Sequence, residues 1–335
     1  MSVRVLQGDC RETLKGLADA SVNCCVTSPP YWGLRDYGHA GQIGQEKSPE
    51  EFVAALVSVF REVRRVLKDD GTLWLNLGDS YAGSGTGQGP NGSCDPKQPK
   101  LNGMKVEVPD LPDGLKAKDL VGIPWRVAFA LQADGWWLRQ DIIWHKPNPM
   151  PESVTDRCTK AHEYIFLLSK SARYFYDAEA IAEAVAESSI ERLSRPNLEN
   201  QAGSLRVPGK TNGPMKAVLR KREKGNGESA VDTKMRGYGS CCGVTEKRNK
   251  RSVWTVTTKP YREAHFATFP PELVRPAILA GCPRGGTVLD PFGGSGTTGE
   301  VAEQEGRHSI LCELNPKYVE LIEKRTAQGG LLHVA

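Results

Sequence analysis

Short apolar runs of strand length alternate along this chain with stretches whose apolar residues recur every three or four positions. Residues 22–26 and 72–77 form two such runs. Between them, a helical pattern is carried by the apolar side chains of Phe52, Leu56, Val59, Phe60, Val63 and Leu67. This order of strand, helix and strand predicts an open α/β sheet whose strands are mainly parallel.

Residues typical of a helix start and of a helix end flank the helical pattern. Ser48 suits the N-cap, Pro49 suits the first helical position, and acidic residues follow in the first turn. Asp69, Asp70 and Gly71 are typical of a helix end. We therefore expect one long helix between the two strands.

The same alternation continues through the second part of the chain. Residues 123–133 have a helical pattern, and segments 136–144 and 162–168 have the apolar character of strands. Near the end of the sequence, residues 286–289 and 308–312 are predicted strands that flank a helix. The pattern thus predicts that both ends of the chain contribute to the α/β sheet.

A glycine-rich stretch interrupts the pattern between residues 80 and 122. Residues 83–92 contain five glycines and a proline, which disfavours both helix and strand. The stretch is either a surface insertion without regular structure or a mobile loop that closes over a ligand.

A second interruption is strongly basic. Between Gln201 and Arg262, fifteen basic residues stand against four acidic ones, a net charge of +11 in a chain whose total is +4. The rest of the chain therefore carries −7. This asymmetry is typical of a nucleic-acid-binding surface joined to a less basic body. A solvated or partly disordered basic linker is the alternative.

Composition narrows the class of protein. With 335 residues, 39% hydrophobic and 25% charged, the chain has the profile of a globular protein with a sizeable core. No apolar run approaches the length of about 18 residues that a membrane span needs, and no secretory signal pattern opens the chain. The nine cysteines lack metal-type spacing, which predicts reduced thiols in a cytoplasmic protein and no metal centre.

Two motifs near opposite ends of the chain each follow a predicted strand. Ser28, Pro29, Pro30 and Tyr31 follow the first strand. The second motif has the form of a strand, a glycine-rich turn and a helix start: Asp290, Pro291, Phe292, Gly293, Gly294, Ser295, Gly296, Thr297 and Thr298. It lacks the lysine of a phosphate-binding loop, which disfavours ATP hydrolysis. Glu313 ends the next strand, where an acid can accept both hydroxyls of a ribose.

Together the two motifs resemble those of DNA methyltransferases that transfer a methyl group from S-adenosylmethionine to an exocyclic amino nitrogen. Their order, catalytic motif first and cofactor motif last, is similar to that of the β class. The resemblance implies a Rossmann-like α/β fold of the seven-stranded methyltransferase type, with circularly permuted motifs and a basic insertion. It divides the chain into a catalytic half (1–182, with a mobile loop at 80–122), a target-recognition region (183–262) and a cofactor-binding half (263–335).

The resemblance assigns catalysis to Ser28, Pro29, Pro30 and Tyr31. An exocyclic amine is a poor nucleophile, because its lone pair is delocalised into the ring of the base. Acceptors from the Ser28 side chain and the Pro29 carbonyl would stabilise the positive charge that grows on the nitrogen during attack. Tyr31 would offer an aromatic face to a base flipped out of the duplex. No cysteine follows a proline, so a covalent thiol mechanism is disfavoured.

The cofactor that the resemblance implies is S-adenosylmethionine. The residues assigned to it are Asp9, Asp290, Pro291, Phe292, Gly293, Gly294, Ser295, Gly296, Thr297 and Glu313. Glu313 would hold the ribose. Asp9 is explained nearly as well as an aspartate at a helix entry.

Two clusters in the basic segment are candidate contacts with double-stranded DNA. The first cluster consists of the adjacent basic residues Arg220, Lys221 and Arg222, which suit sequence-independent contacts with DNA phosphates. The second cluster includes an asparagine, which can read adenine in the major groove, and consists of Lys247, Arg248, Asn249, Lys250 and Arg251.

The sequence therefore predicts a site-specific DNA amino-methyltransferase and leaves adenine N6 and cytosine N4 open as the target. One alternative is a catalytically silent DNA-binding protein with the same fold. Another is an enzyme that methylates RNA or a protein amide. The resemblance also suggests a homodimer and a separately encoded restriction endonuclease as partners.

Overall fold

The computed structural model describes residues 2–33, 41–82, 114–188, 247–258 and 270–329. The strands are β1 (Val3–Gln7), β2 (Val22–Thr27), β3 (Leu67–Leu77), β4 (Trp137–His145), β5 (His162–Ser169), β6 (Glu183–Ala184), β7 (Lys247–Arg248), β8 (Val253–Thr255), β9 (Thr287–Asp290) and β10 (His308–Glu313). The α-helices are α1 (Cys10–Thr13), α2 (Pro49–Val66), α3 (Ile123–Ala133), α4 (Pro271–Gly281), α5 (Thr297–Gln304) and α6 (Pro316–Gly329). A 3₁₀ turn, Leu14–Gly16, follows α1.

Eight strands form one sheet in the order β1-β10-β9-β2-β3-β5-β4-β8. The first five of these are parallel, β5 runs antiparallel to both β3 and β4, and β8 is parallel to β4. The predicted mainly parallel sheet is therefore confirmed, with β8 added at the edge of a seven-stranded arrangement. Since β1 pairs with β10, the two ends of the chain complete one sheet, as the permuted motif order requires.

Helix α2 shows how the local sequence produces this architecture. The Ser48 hydroxyl accepts a hydrogen bond from the backbone N–H of Glu51 at 3.2 Å, and Pro49 occupies the first helical position. The buried face of α2 belongs to the main hydrophobic core and consists of Phe52, Leu56, Val59, Phe60, Val63 and Val66. Burying one such side chain stabilises the fold by about 1.5–3 kcal/mol before conformational entropy is counted.

Strand β3 begins earlier than the sequence pattern predicts. The chain leaves α2 at Val66 and is extended from Leu67 onward, although we expected the strand to start at Thr72. Leu67 pairs with Val22, and the register then shifts before Thr72 pairs with Cys24. Lys68, Asp69 and Asp70 are exposed and have no paired residue in the register with β2, so the local turn signal is present as an irregularity within β3 and does not end the strand.

The backbone divides into two compact units. The larger comprises Met1–Asp177 with Arg251–Ala335, and the smaller comprises Ala178–Lys250. In the smaller unit, β6 and β7 pair antiparallel. The β8 strand pairs with β4 in the main sheet although its sequence falls within segment 183–262, so the main sheet takes up part of that segment. The functional roles given to the three segments stay predictions.

Some predicted features lie outside the described residues. These are most of the glycine-rich loop (83–113) and the stretch 189–246, which contains Arg220, Lys221 and Arg222. Among the described residues, no helix combines the length and the apolar character needed to cross a bilayer.

Candidate active site and cofactor site

The predicted functional residues gather where parallel strands end. Ser28 directly follows β2, Asp290 ends β9 and Glu313 ends β10. Strand β9 is hydrogen-bonded to both β2 and β10, and all three run in the same direction. Their carboxyl ends therefore meet at one edge of the sheet, which is where open α/β sheets bind ligands.

Asp290 connects the glycine-rich turn to the strand that carries the catalytic motif. Its carboxylate is fully buried and accepts hydrogen bonds from the Thr27 hydroxyl at 2.6 Å, the Thr298 hydroxyl at 2.7 Å and the Phe292 backbone N–H at 3.0 Å. Burial raises the pKa of the Asp290 carboxyl, and these hydrogen bonds act against the rise. Since Thr27 immediately precedes Ser28, the carboxylate fixes the two motifs relative to each other.

The turn after β9 requires its glycines. Gly294 and Gly296 have φ angles of +50° and +82°, in the left-handed region that glycine adopts without strain. A Cβ atom at Gly293 would lie 3.1 Å from the Cβ of Leu311 and 3.2 Å from the carbonyl oxygen of Cys312. The turn therefore packs its bare backbone directly against β10, and the same bare backbone allows a ligand to approach closely.

Glu313 lies against this turn. One carboxylate oxygen accepts a hydrogen bond from the backbone N–H of Gly294 at 2.7 Å, and the other accepts from the backbone N–H of Asn315 at 2.8 Å. Burial raises the pKa of the Glu313 carboxyl, and the two backbone hydrogen bonds counteract that effect. Each oxygen still has a lone pair with which it can accept a hydrogen bond from a ligand.

Arg325 on α6 clamps the other side of the turn, and sequence reasoning missed it. Its guanidinium donates to the carbonyl and hydroxyl oxygens of Ser295, both at 3.1 Å, and to the Thr297 hydroxyl at 3.0 Å. It also pairs with Glu300 on α5, and only 9% of its side chain is exposed. The one available signal was a basic residue in an amphipathic terminal helix, which is more often a solvent-exposed residue.

Asp9 has the local role that the sequence left open. Its side chain caps α1 by accepting from the backbone N–H of Arg11 at 2.8 Å, and it forms a salt bridge with the Arg11 guanidinium. The hydrogen bond with Arg11 lowers the pKa of Asp9. Gly8 donates its N–H to the Glu313 carbonyl at 2.8 Å, so Asp9 still lies close to the end of β10.

The catalytic motif is held by side chains from neighbouring strands. The Ser28 hydroxyl donates to the Asn76 side-chain oxygen at 3.2 Å. The Tyr31 hydroxyl donates to Glu163 at 2.6 Å and lies 3.3 Å from the same Asn76 oxygen. Pro29 is buried and Pro30 is half-buried. The structure therefore brings the motif next to the end of β3 and the start of β5.

Asn76 and Glu163 were not singled out in the sequence. The Asn76 amide donates to the Tyr164 carbonyl at 3.1 Å and to Glu163 at 3.3 Å, so its oxygen is turned towards Ser28. A polar residue near the carboxyl end of a predicted apolar strand was the only sequence signal for Asn76. For Glu163 the signal was weaker. Glu163 lies beside the catalytic motif only because β5 is placed antiparallel between β3 and β4, and this placement is not visible in the sequence.

Two members of the second DNA-binding cluster, Arg248 and Lys250, are partly occupied by an acidic residue of the smaller unit. Arg248 and Lys250 both lie near the Glu183 carboxylate, with nitrogen–oxygen distances of 3.6 and 3.7 Å. The backbone carbonyl of Arg251, in the larger unit, accepts from the Trp254 indole N–H at 2.9 Å. Contact of these residues with DNA stays a prediction.

The buried cysteines of the described part of the chain are not activated thiols. Cys10, Cys24, Cys25, Cys282 and Cys312 are buried, Cys158 is exposed, and all six are free. Burial raises the pKa of Cys10 to about 12 and that of Cys312 to about 11. Thiols held in this way stay protonated at neutral pH, when only the thiolate is an effective nucleophile.

Comparison with known proteins identifies the class of enzyme. Residues 22–324 match the model of the N6/N4 methyltransferase family, described as DNA methylases. The chain belongs to this family. It is 46% identical over 321 residues to the Type II methyltransferase M.Cfr9I of Citrobacter freundii, a match that covers 96% of this chain and 86% of that protein. It is 44% identical over 325 residues to M.SmaI of Serratia marcescens, with 97% and 90% covered.

Solved structures of DNA methyltransferases share the fold of this methylase. The PvuII DNA methyltransferase (cytosine-N4-specific) superposes with a TM-score of 0.59 at 19% identity, covering 97% of this chain and 86% of that one. A protein described as a putative DNA modification methylase of Thermus thermophilus, in complex with S-adenosyl-L-methionine, gives 0.53 at 22% identity, with 98% and 96% covered. The predicted methyltransferase fold, the S-adenosylmethionine dependence and the site-specific modification of a DNA amino group are thereby confirmed.

Proposed function

We propose that this methylase modifies the N4 amino nitrogen of cytosine at a specific sequence in double-stranded DNA. The observation that carries the proposal is Ser28, a neutral hydroxyl that donates its proton to Asn76 at 3.2 Å. In the family that this chain resembles, serine at the first catalytic position leans towards N4-cytosine. The PvuII enzyme, which shares the fold, is itself named as cytosine-N4-specific.

The mechanism follows from where the hydroxyl proton points. Because Ser28 gives its only proton to Asn76, its lone pairs face away from that residue and can accept from an amine. The Pro29 carbonyl supplies a second acceptor, and the two prolines restrict the backbone that holds it. Two fixed acceptors favour a tetrahedral nitrogen and stabilise the positive charge that develops on it.

Tyr31 would support the flipped base. Its ring packs so closely on the backbone of Gly78 that a Cβ atom there would lie 2.4 Å from Tyr31 Cε2. Its hydroxyl is held by Glu163. A ring fixed in this way is a rigid stacking surface for an unpaired base. Because the ring is already ordered, it loses little conformational entropy when the base binds.

The residues that follow β9 and β10 fit S-adenosylmethionine. The backbone of Gly293 and Gly294 allows close approach, and the Glu313 carboxylate retains acceptor capacity for the ribose hydroxyls. The partly buried Phe292 ring would offer an apolar face. The bound cofactor supplies an electrophilic methyl group for direct transfer to nitrogen. Asp290 and the pair of Ser295 and Thr297 would act on the cofactor indirectly, by holding the shape of the turn.

DNA recognition is proposed for the basic segment. Arg248 and Lys250 share Glu183, so we assign the main grip on phosphates to Arg220, Lys221 and Arg222. Asn249 would contact a base edge. The relatives named Type II methyltransferases suggest a companion endonuclease, and we further propose a homodimer that works in the cytoplasm, where its DNA lies.

Digestion of the methylated DNA to nucleosides tests the proposed base. Plasmid DNA incubated with the enzyme and isotopically labelled S-adenosylmethionine should yield labelled N4-methylcytosine in mass spectrometry. Label in N6-methyladenine would contradict the assignment of the base, and label in 5-methylcytosine would contradict amino-group chemistry altogether.

A further inference from the structure

Lys146, which directly follows β4, has no part in the mechanism described so far. Lys146 and Glu163 form a salt bridge in which only 18% and 13% of the two side chains are exposed. The Lys146 ammonium also lies 4.3 Å from the centre of the Trp144 ring. The lysine is therefore held between a carboxylate and an aromatic face. Its side chain is more ordered than that of a lysine in an exposed ion pair.

The second oxygen of Glu163 leads into the catalytic motif. It accepts a hydrogen bond from the Tyr31 hydroxyl at 2.6 Å and another from the Asn76 amide at 3.3 Å. A tyrosine hydroxyl has one proton, and the shorter contact shows that Glu163 takes it. The Asn76 oxygen thereby remains the partner of the Ser28 hydroxyl.

Tyr31 is fixed from two directions. Its hydroxyl is anchored by Glu163, and its ring lies against the backbone of Gly78. Any side chain at position 78 would displace the ring, because a Cβ atom there would come within 2.4 Å of it. The hydrogen bond fixes the hydroxyl end of the ring and the Gly78 backbone limits one face, so the two contacts together restrict how the ring is oriented.

We propose that Glu163, held by Lys146, is a positioning residue that sets the shape of the base pocket. Glu163 fixes the Tyr31 ring on which the base stacks, and through Asn76 it fixes the direction in which the Ser28 hydroxyl points. Lys146 balances the carboxylate charge and occupies the oxygen that does not face the motif. This inference rests on the proposed function, because it presumes that a flipped base enters beside Ser28 and Tyr31.

The alternative is that the pair only stabilises the fold. Breaking a buried ion pair commonly destabilises a protein, because one charge is left without its partner. A test must therefore separate a change in turnover from a loss of folded protein. Glu163→Gln keeps the shape and an acceptor oxygen, and Tyr31→Phe removes the hydroxyl while leaving the ion pair intact.

The experiment compares Glu163→Gln, Tyr31→Phe and the double variant by kcat at saturating DNA and cofactor. We expect each single change to lower kcat about tenfold, as for loss of one hydrogen bond to a charged group. The double variant should lose no more than the more impaired single variant, because both changes remove the same hydrogen bond to a charged carboxylate. Glu62→Gln is the matched control, since Glu62 pairs with Arg65 on α2 and should leave kcat unchanged.

A spectroscopic readout reports on the pocket directly. Duplex DNA carrying a fluorescent cytosine analogue that pairs with guanine at the target position becomes more fluorescent when the base leaves the stack, and the signal is quenched again when the base stacks on an aromatic ring. We expect Glu163→Gln and Tyr31→Phe to shift this signal in the same way, whereas Glu62→Gln should match the wild type. Calorimetry should show unchanged affinity for S-adenosylmethionine in all of them.

Three results would overturn the proposal: normal kcat in Glu163→Gln, losses of Glu163→Gln and Tyr31→Phe that multiply in the double variant, or a fall in kcat explained by the fraction unfolded in thermal melts. These outcomes are separate from failure of the proposed base. If the wild type methylates adenine, cytosine is the wrong target, and the comparison of kcat values still decides the role of Glu163 on adenine.

Discussion

At the scale of single residues, Glu313 shows how burial and hydrogen bonding prepare a side chain for a ligand. Its two oxygens are oriented by the backbone of Gly294 and Asn315. Glu313→Ala should weaken S-adenosylmethionine binding by about 1–3 kcal/mol, because two ribose hydroxyls lose a charged acceptor. Glu313→Gln keeps one acceptor oxygen and should lose less. Calorimetry that shows wild-type affinity for Glu313→Ala would remove the residue from the ribose site.

The same residue predicts a pH dependence. Burial raises the pKa of Glu313 above its ordinary value of 4.5, and the ionised form is the better acceptor. Cofactor affinity should therefore have its full value above the raised pKa and fall as the pH drops through that pKa. The fall should begin at a higher pH than it would for an exposed glutamate. In Glu313→Gln this part of the pH dependence should disappear. Identical pH profiles for the wild type and Glu313→Gln would contradict the assignment.

At the scale of elements, the glycine-rich turn is held by a helix that follows it in the chain. Arg325→Met removes the bonds to Ser295 and Thr297 and leaves Glu300 without its partner. We expect a loss of about 1–3 kcal/mol in unfolding free energy and a severalfold weaker cofactor affinity, because the turn loosens. The neighbouring exposed residue provides the control, Lys324→Met. Thermal melts and calorimetry are the measurements, and equal affinity in the two variants would show that the clamp is not needed.

Sequence patterns predict those elements whose signals are local. The N-cap at Ser48, the apolar face of α2 and the turn after Asp290 follow from neighbouring residues, and the structure has them. Arg325, Glu163 and Lys146 could not be found in this way, because their partners come from other elements. The contacts of Glu163 and Lys146 depend on the antiparallel strand β5 between β3 and β4, and those of Arg325 depend on the packing of α6 against α5 and the turn.

At the scale of the whole molecule, charge is concentrated in one segment. The stretch between Gln201 and Arg262 carries +11, while the rest of the chain carries −7. Replacing all three of Arg220, Lys221 and Arg222 by glutamine should weaken the binding of both specific and random DNA. It should also reduce the slope of log affinity against log salt by up to about 3, since each lost phosphate contact accounts for about 0.9.

Neutralising three exposed cations of the described fold, Lys15, Arg61 and Lys68, controls for the change in net charge. Fluorescence anisotropy across a range of salt concentrations measures the DNA affinity of both triple variants. If the two triple variants have the same salt slope, overall charge explains the binding and the basic segment is only a linker. Recognition would then lie elsewhere, with the glycine-rich stretch of residues 80–122 as the next candidate.

The central claim is that one edge of the sheet carries a fixed acceptor for the target amine beside a separate cofactor site. Turnover and cofactor affinity measured together on Ser28→Ala test it most directly, with Ser58→Ala on the exposed side of α2 as the control. We predict that Ser28→Ala lowers kcat on specific DNA by about ten- to a thousandfold, as for loss of one preorganised polar contact, while the affinity for S-adenosylmethionine stays unchanged. Near-normal turnover in Ser28→Ala would contradict the account.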